Sequence, residues 1–307
     1  MDRRTSGRSA CRVWRLNTLG QWLQQATATL ADKANTHKDN ARLDAEVLVM
    51  AVTGLPRTSV YAHPERSLLA DEEQRLSVLL KRRIDGEPMA YLTGEREFWS
   101  IPLKICPGVL TPRAETELLV ETALRLAGTL PDGAIVDLGT GSGAIAIALA
   151  SEASDQASDA APFTGREIIA IDNDAQAIAM ASHNIQVHCP GSVQLVRANW
   201  LDCIADQSVS LIIANPPYIA SDDPHLHSLR YEPRTALVAG QHGLDDLSYI
   251  IRHGVRTAKP GALILLEHGN LQAEPVRSLL HEHGYTAITT LTDLAGLDRV
   301  SFGYRPK

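Results

Sequence analysis

The stretch AIVDLGTGSGAIAIALA, residues 134–150, leaves this chain few folds to choose from. Ile135, Val136 and Leu138 make a short apolar run that reads as a buried strand. Gly139, Gly141 and Gly143 then follow at intervals of two, ending the strand in a turn whose backbone is free to approach a ligand closely. AIAIALA has no polar face, so it reads as a helix buried on every side. A buried strand, a glycine turn and a buried helix in succession call for a sheet covered on both faces.

The chain after Pro112 keeps this alternation. EIIAID (167–172) is the next strand and AQAIAMASHNI (175–185) the next helix. VQLVRANW and SLIIANPPY contribute two more strands. A helix at 244–258, the strand ALILLEHG, a helix near 271–283 and strands near 285–290 and 298–304 complete a seven-stranded, mostly parallel α/β sheet. The Ala/Ser/Asp-rich stretch 151–165 reads as a surface loop inserted between elements.

The N-terminal part has a different texture. LNTLGQWLQQATATLA spaces Leu16, Leu19, Leu23, Ala26 and Leu30 three and four apart, the period of one apolar helix face. RLDAEVLVMAVTG repeats that pattern and ends on Gly54. LADEEQRLSVLLKRRIDGEP opens with acids and closes with Lys81, Arg82 and Arg83, an order that suits a helix dipole. The expected organisation is an extension at 1–15, a helical domain at 16–95, a hairpin or linker at 96–112 and an α/β domain at 113–307. Residues 1–15 carry five arginines and one acid, the composition of a mitochondrial transit peptide. No amphipathic repeat accompanies the arginines, so they read as a disordered extension of a cytoplasmic protein.

Composition narrows the function. A net charge of −7 argues against a broad basic surface for nucleic acid. The four cysteines, Cys11, Cys106, Cys189 and Cys203, are scattered without a CxxC pair, which fits a reducing compartment. No apolar run approaches the ~20 residues of a membrane-spanning helix. His225/His227 and His281/His283 lack a third ligand at sensible spacing, so no metal is expected.

Three features fall at the carboxyl ends of strands, where sheets of this kind bind ligands. The first is the loop Gly139-Thr140-Gly141-Ser142-Gly143. By itself it also admits a dinucleotide, with Ala144 as the third small residue of a GxGxxG/A pattern. The second is Asp172, ending its strand in AIDND, where an acid suits a ribose of a nucleoside cofactor; Asp174 is the better helix N-cap. The third is Asn215-Pro216-Pro217-Tyr218. Two prolines supply no N–H, so the strand ends there in a stiff turn that presents one amide, several carbonyls and an aromatic ring. A planar amino group on an sp² carbon is a poor nucleophile because its lone pair is delocalised. The Asn215 side-chain carbonyl and the Pro216 backbone carbonyl are suited to accept its two N–H bonds and favour the pyramidal, attacking form. Tyr218 is suited to stack on the planar group. The matching electrophile is a sulfonium methyl, as in S-adenosylmethionine.

From about Leu16 onward the chain resembles the peptide chain release factor glutamine methyltransferases. The matching stretches are PMAYLTG (88–94), Phe98-Trp99, Thr111-Pro112-Arg113 with Thr116-Glu117, the glycine loop, NPPY, YEPRTALVAG and LLEHG. The resemblance implies a class I, Rossmann-like methyltransferase domain with a small helical N-terminal domain that helps recognise the release factor. Its implied cofactor is S-adenosylmethionine, and its implied substrate the glutamine of the release factor's Gly-Gly-Gln loop, methylated on the side-chain nitrogen. It further implies that Gly139 to Gly143 lie against the cofactor's methionine part, that Asp172 holds the ribose and that Trp200 lies beside the adenine. Asn215 would face both cofactor and substrate, with Pro216, Pro217 and Tyr218 on the substrate. Asn199 stands where an acid often precedes that tryptophan. The implied enzyme is a cytoplasmic monomer of bacterial type, with no nucleic acid or membrane partner.

A relative that methylates a glutamine of a ribosomal protein also carries NPPY, but tends to show Ser-Pro-Ile where this chain has Ala114-Glu115-Thr116. An adenine N6-methyltransferase would want a basic recognition module. A nicotinamide oxidoreductase leaves NPPY unexplained. A non-catalytic binding module of the translation machinery is the alternative that bound cofactor and methyl transfer would exclude.

Overall fold

The computed structural model describes residues 18–33, 38–153 and 163–307. The extension 1–15, with Cys11, and residues 154–162 of the insertion lie outside them. The chain divides into two compact units between Thr93 and Gly94.

The first unit is helical. Helices α1 (Leu19–Lys33), α2 (Lys38–Thr53), α3 (Arg57–Ala62), α4 (Ala70–Ile84) and α5 (Met89–Thr93) enclose a core of their own. Leu19, Leu23, Ala26 and Leu30 are all buried in it, as their spacing in α1 predicts, together with Trp22, Leu48 and Leu76. α4 carries Asp71, Glu72 and Glu73 in its first turn and Lys81, Arg82 and Arg83 in its last, matching the helix dipole at both ends. Short α3 and α5 have no counterpart in the sequence reading, because one or two turns show too little periodicity.

The second unit opens with a hairpin, β1 (Glu95–Phe98) and β2 (Ile101–Lys104), paired Phe98 to Ile101. Its two-residue turn, Trp99-Ser100, has φ of 53° and 59°, the left-handed backbone such a tight turn demands, with neither glycine nor asparagine to ease it. Side-chain bonds hold the turn: the Trp99 backbone N–H donates to Glu117 Oε1 at 2.9 Å and its indole N–H to Glu152 Oε1 at 2.6 Å. Phe98 and Leu103 are buried in the core of this unit, so the hairpin packs as part of it.

Then come α6 (Glu117–Leu126), β3 (Ala134–Leu138), α7 (Ala144–Ala153), β4 (Ile168–Asp172), α8 (Ala175–His188), β5 (Val193–Arg197) and β6 (Val209–Ala214). The chain continues through α9 (Asp245–Thr257), β7 (Ala258–Glu267), α10 (Ala273–Glu282), β8 (Thr286–Thr292) and β9 (Asp298–Tyr304). The sheet order is β5-β4-β3-β6-β7-β9-β8, parallel except for β9, which runs antiparallel to both neighbours. α7 is buried from Ala144 to Ala150, as its lack of a polar face requires. The strands are apolar on both sides. In β6, Leu211 and Ile213 join the core under α6, α7 and α8, whereas Val209, Ile212 and Ala214 join the core under α9 and α10.

β3 pairs with β4 on one side and β6 on the other, so the strand order reverses there. That reversal opens a crevice at the carboxyl ends of the strands. Leu138 lies opposite both Ile171 and Ala214. Gly139, Asp172 and Asn215 are therefore brought to one level at the rim of the sheet.

Phe98, 2% exposed, joins the hairpin to that core. Phe98→Ala is expected to cost about 3–5 kcal/mol of unfolding free energy in urea titration, the usual range for a buried phenylalanine.

Candidate active site

The glycine loop is fixed from below by Asp137, a fully buried carboxylate on β3. Its Oδ2 accepts the Thr140 hydroxyl at 2.6 Å and the Ala146 N–H at 3.2 Å, tying the loop to the first turn of α7. Burial pushes the Asp137 carboxyl up to about 7, with the nearby charge of Asp172 adding to the effect. Gly139 adopts φ +69°, and a Cβ there would meet the Trp200 ring at 3.2 Å. The loop therefore needs glycine both for its backbone and to admit that ring.

Asp172 ends β4 with both oxygens held by backbone donors. Oδ2 accepts the Gly141 N–H and Oδ1 the Asp174 N–H, each at 2.9 Å. Burial raises its pKa, opposed by these donors. Asp174 caps α8, accepting from the Gln176 and Ala177 N–H groups. Trp200 and Asp246 line the same cavity, and burial raises the Asp246 pKa. Gly139, Thr140, Gly141, Ser142, Asp172, Trp200, Asp246, Asn215 and Pro217 all line one cavity of about 430 Å³. Gly143 does not line it. It turns with φ +86° against Ile147 and Ala181, and its N–H closes the loop onto the Thr140 carbonyl at 2.8 Å.

A second cavity of about 310 Å³ lies against Asn215, Pro216, Tyr218, Glu267, Arg113 and Arg299. Asn215 and Arg113 line both cavities. The extended turn sends consecutive residues to opposite sides, so Pro217 faces the first cavity while Pro216 and Tyr218 face the second. The Asn215 Nδ2 donates to Thr116 Oγ1 at 3.0 Å, which turns Oδ1 away from Thr116. The Thr116 hydroxyl donates in turn to Glu267 Oε2 at 2.8 Å, and the Tyr218 hydroxyl reaches Glu267 Oε1 at 3.3 Å. Glu267 is 1% exposed; burial pushes its carboxyl up to about 7 despite the Thr116 bond and the positive Arg299. Burial also raises the Tyr218 phenol, and Glu267 adds to that shift.

The NPPY backbone is held from behind. Gln272 Nε2 donates to the Tyr218 carbonyl at 2.9 Å and to the Gly243 carbonyl at 3.1 Å. Gly243 has φ +70°, and a Cβ there would run into the Tyr218 carbonyl. Arg113 pairs with Glu232 at 2.5 Å; Glu232 is buried, which raises its pKa against the pull of Arg113.

The sequence reading had no roles for Thr116, Glu267, Glu232, Asp137, Asp246 or Gln272. Four of these sit in the quoted stretches TPRAETE, VDLGTG, YEPRTALVAG and LLEHG; Asp137 and Glu267 are single acids at an apolar run, whereas Thr116 and Glu232 stand among other polar residues and carry no such signal.

Residues 21–94 match the family described as the PrmC N-terminal domain, and residues 114–229 the one described as the methyltransferase small domain. The chain is 42% identical over 285 residues to the release factor glutamine methyltransferase of Salmonella typhimurium, covering 92% of this chain and 97% of that protein. The chain belongs to the release factor glutamine methyltransferase family. The relatives from Escherichia coli and Vibrio cholerae, both of the same name, are 41% identical over 92% and 93% of the chain. As a member of this family it is an enzyme, a methyltransferase that uses S-adenosylmethionine. The hMettl16 catalytic domain, solved in complex with MAT2A 3′UTR hairpin 1, has a similar fold: TM-score 0.51, 15% identity, 78% of this chain and 83% of that one. The expected class I fold with a helical N-terminal region is the fold observed.

Asp137 gives the site a pH signature. Its carboxyl titrates near 3.8 when unfolded and near 7 when folded, so between those values the folded chain holds a proton that the unfolded chain has released. The contribution of this group to stability therefore falls as pH rises through that window. Asp137→Asn keeps an acceptor for Thr140 and Ala146 without the titration. Its urea-unfolding free energy is expected to decline less than that of the wild type from pH 3.8 to about 7.

Proposed function

We propose that this chain transfers a methyl group to the side-chain amide nitrogen of the glutamine in the Gly-Gly-Gln loop of peptide chain release factors, acting as a monomer in the cytoplasm without contacting nucleic acid. The observation that carries this reading is Asn215, which stands between two cavities with its Nδ2 anchored and its Oδ1 left as an acceptor.

The first cavity suits the cofactor. Its volume, about 430 Å³, is within the ordinary range for a small-molecule site, and Gly141 on its wall is open, with only the Gly139 carbonyl oxygen, 4.0 Å away, near the place of a Cβ. Gly139, Thr140, Gly141 and Ser142 would hold the methionine part, Asp172 the ribose hydroxyls and Trp200 the adenine. When bound, S-adenosylmethionine supplies an electrophilic sulfonium methyl. The second cavity, against Pro216 and Tyr218, would take the glutamine side chain.

Asn215 Oδ1 and the Pro216 carbonyl accept the two N–H bonds of the substrate amide. That orients its nitrogen and weakens delocalisation of the lone pair. Tyr218 stacks on the amide plane and excludes water. The acidic chain and its helical first unit favour recognition of a protein over nucleic acid, and residues 21–94 match the PrmC N-terminal domain. Among the described residues no helix is long and apolar enough to cross a membrane.

Mass spectrometry of purified release factor, incubated with the enzyme and S-adenosylmethionine, is expected to find one methyl group on that glutamine. An unmodified glutamine would sink the proposal. Asn215→Ala is expected to lower single-turnover methyl transfer about 10²–10³-fold while cofactor affinity stays close to wild type. Asp172→Ala is expected to do the reverse, weakening calorimetric cofactor affinity by about 1.5–3 kcal/mol per lost charge-assisted hydrogen bond.

A further inference from the structure

We propose that Thr116 and Glu267 are positioning residues for methyl transfer, a buried hydrogen-bond relay that decides which half of the Asn215 amide meets the substrate. The inference rests on the proposed role of Asn215 as the acceptor for the substrate amide.

The two halves of an asparagine amide are nearly isosteric, so only hydrogen bonding distinguishes them. Flipped over, Asn215 would present N–H donors to a substrate amide that is itself a donor, and the acceptor would be lost. What prevents the flip is the state of Thr116. Its hydroxyl has one proton, and that proton goes to Glu267 Oε2 at 2.8 Å. An ionised carboxylate can only accept. Thr116 Oγ1 therefore offers only lone pairs to Asn215, whose Nδ2 answers at 3.0 Å. Thr116 is 4% exposed and Glu267 1%, so the relay is shielded from solvent.

The groups around Glu267 come from three places. Thr116 precedes α6, Glu115 stands beside it and opposes the negative charge, Tyr218 follows β6, and Arg299 on β9 favours ionisation. Arg299 is itself held by Asp293 at 3.1 Å. A protonated Glu267 can donate to Thr116 Oγ1. The Thr116 proton is then free to turn to Asn215 Oδ1, and the amide can flip. Since burial places the Glu267 carboxyl at about 7, this loss falls within reach of ordinary assay conditions.

The test is steady-state kinetics on the full chain with purified release factor and S-adenosylmethionine, comparing wild type, Thr116→Val, Thr116→Ser, Glu267→Gln and Asn215→Ala. Thr116→Val, which keeps shape but not hydroxyl, is expected to lower kcat about 10–100-fold with KM and cofactor affinity little changed. Thr116→Ser is expected to restore most of the loss, which a purely structural role would not require. Glu267→Gln supplies an N–H where only acceptors stood. It is expected to lower kcat and to remove the fall in kcat that the wild type shows as pH drops through about 7. If Thr116→Val fails to fold, Glu267→Gln and its pH profile decide alone. Wild-type kcat in both variants alongside an inactive Asn215→Ala would overturn the relay and leave the role of Asn215 standing. Failure of serine to rescue, or an unchanged acid limb in Glu267→Gln, would also overturn it. A fully active Asn215→Ala would remove the role of Asn215 and the relay together.

Discussion

Parallel pairing of β3 with β4 and β6 is the constraint on which the site depends. Because Leu138 is opposite both Ile171 and Ala214, three unrelated stretches leave the sheet side by side. A slip of one residue would turn the apolar side chains of a strand to the wrong face, and both faces are packed under helices. The packing of particular side chains in the two cores therefore sets the register, and the register sets the distances among Gly139, Asp172 and Asn215. Residues buried in the sheet, such as Ile213 and Val136, determine where the residues that line the cavities are placed.

Around this frame the protein buries carboxylates. Asp137 ties the glycine loop to α7, Glu267 lies beneath NPPY, and Glu232 holds Arg113 where both cavities meet. Each carries a cost of desolvation, seen in carboxyls displaced upward from their usual range. Asp137 is matched by donors close by in sequence, Glu267 and Glu232 by donors from a distant part of the chain. The polar interior thus links segments far apart in sequence, as in the Thr116–Glu267 bond across 151 positions.

The sheet was legible in the sequence because its strands are short, apolar and bounded by glycine or proline. The buried helix α7 was legible from its lack of a polar face, and α1 from the three- and four-residue spacing of its apolar side chains. Asp172, the glycine loop and NPPY stood out because each interrupts an apolar strand at its carboxyl end. Short helices α3 and α5 were hidden by their length, and α6 by the prolines and acids that precede it. The turn at Trp99-Ser100 carries no glycine signal, since tertiary bonds to Glu117 and Glu152 stabilise a backbone its own residues do not favour. Thr116 and Glu267 could not be paired from sequence at all. A buried hydrogen bond between distant positions leaves no periodic trace.

The two prolines of NPPY bear on the entropy of the site. A pyrrolidine ring restricts φ in the unfolded chain as well as the folded one. The segment that carries the Pro216 carbonyl therefore loses little backbone freedom when the protein folds, and has little left to lose afterwards. Its order is inherited from covalent structure, whereas Asn215 and Tyr218 on either side depend on hydrogen bonds that can melt. Thermal softening of this site should accordingly begin in its side chains, with the backbone between them the last part to give way.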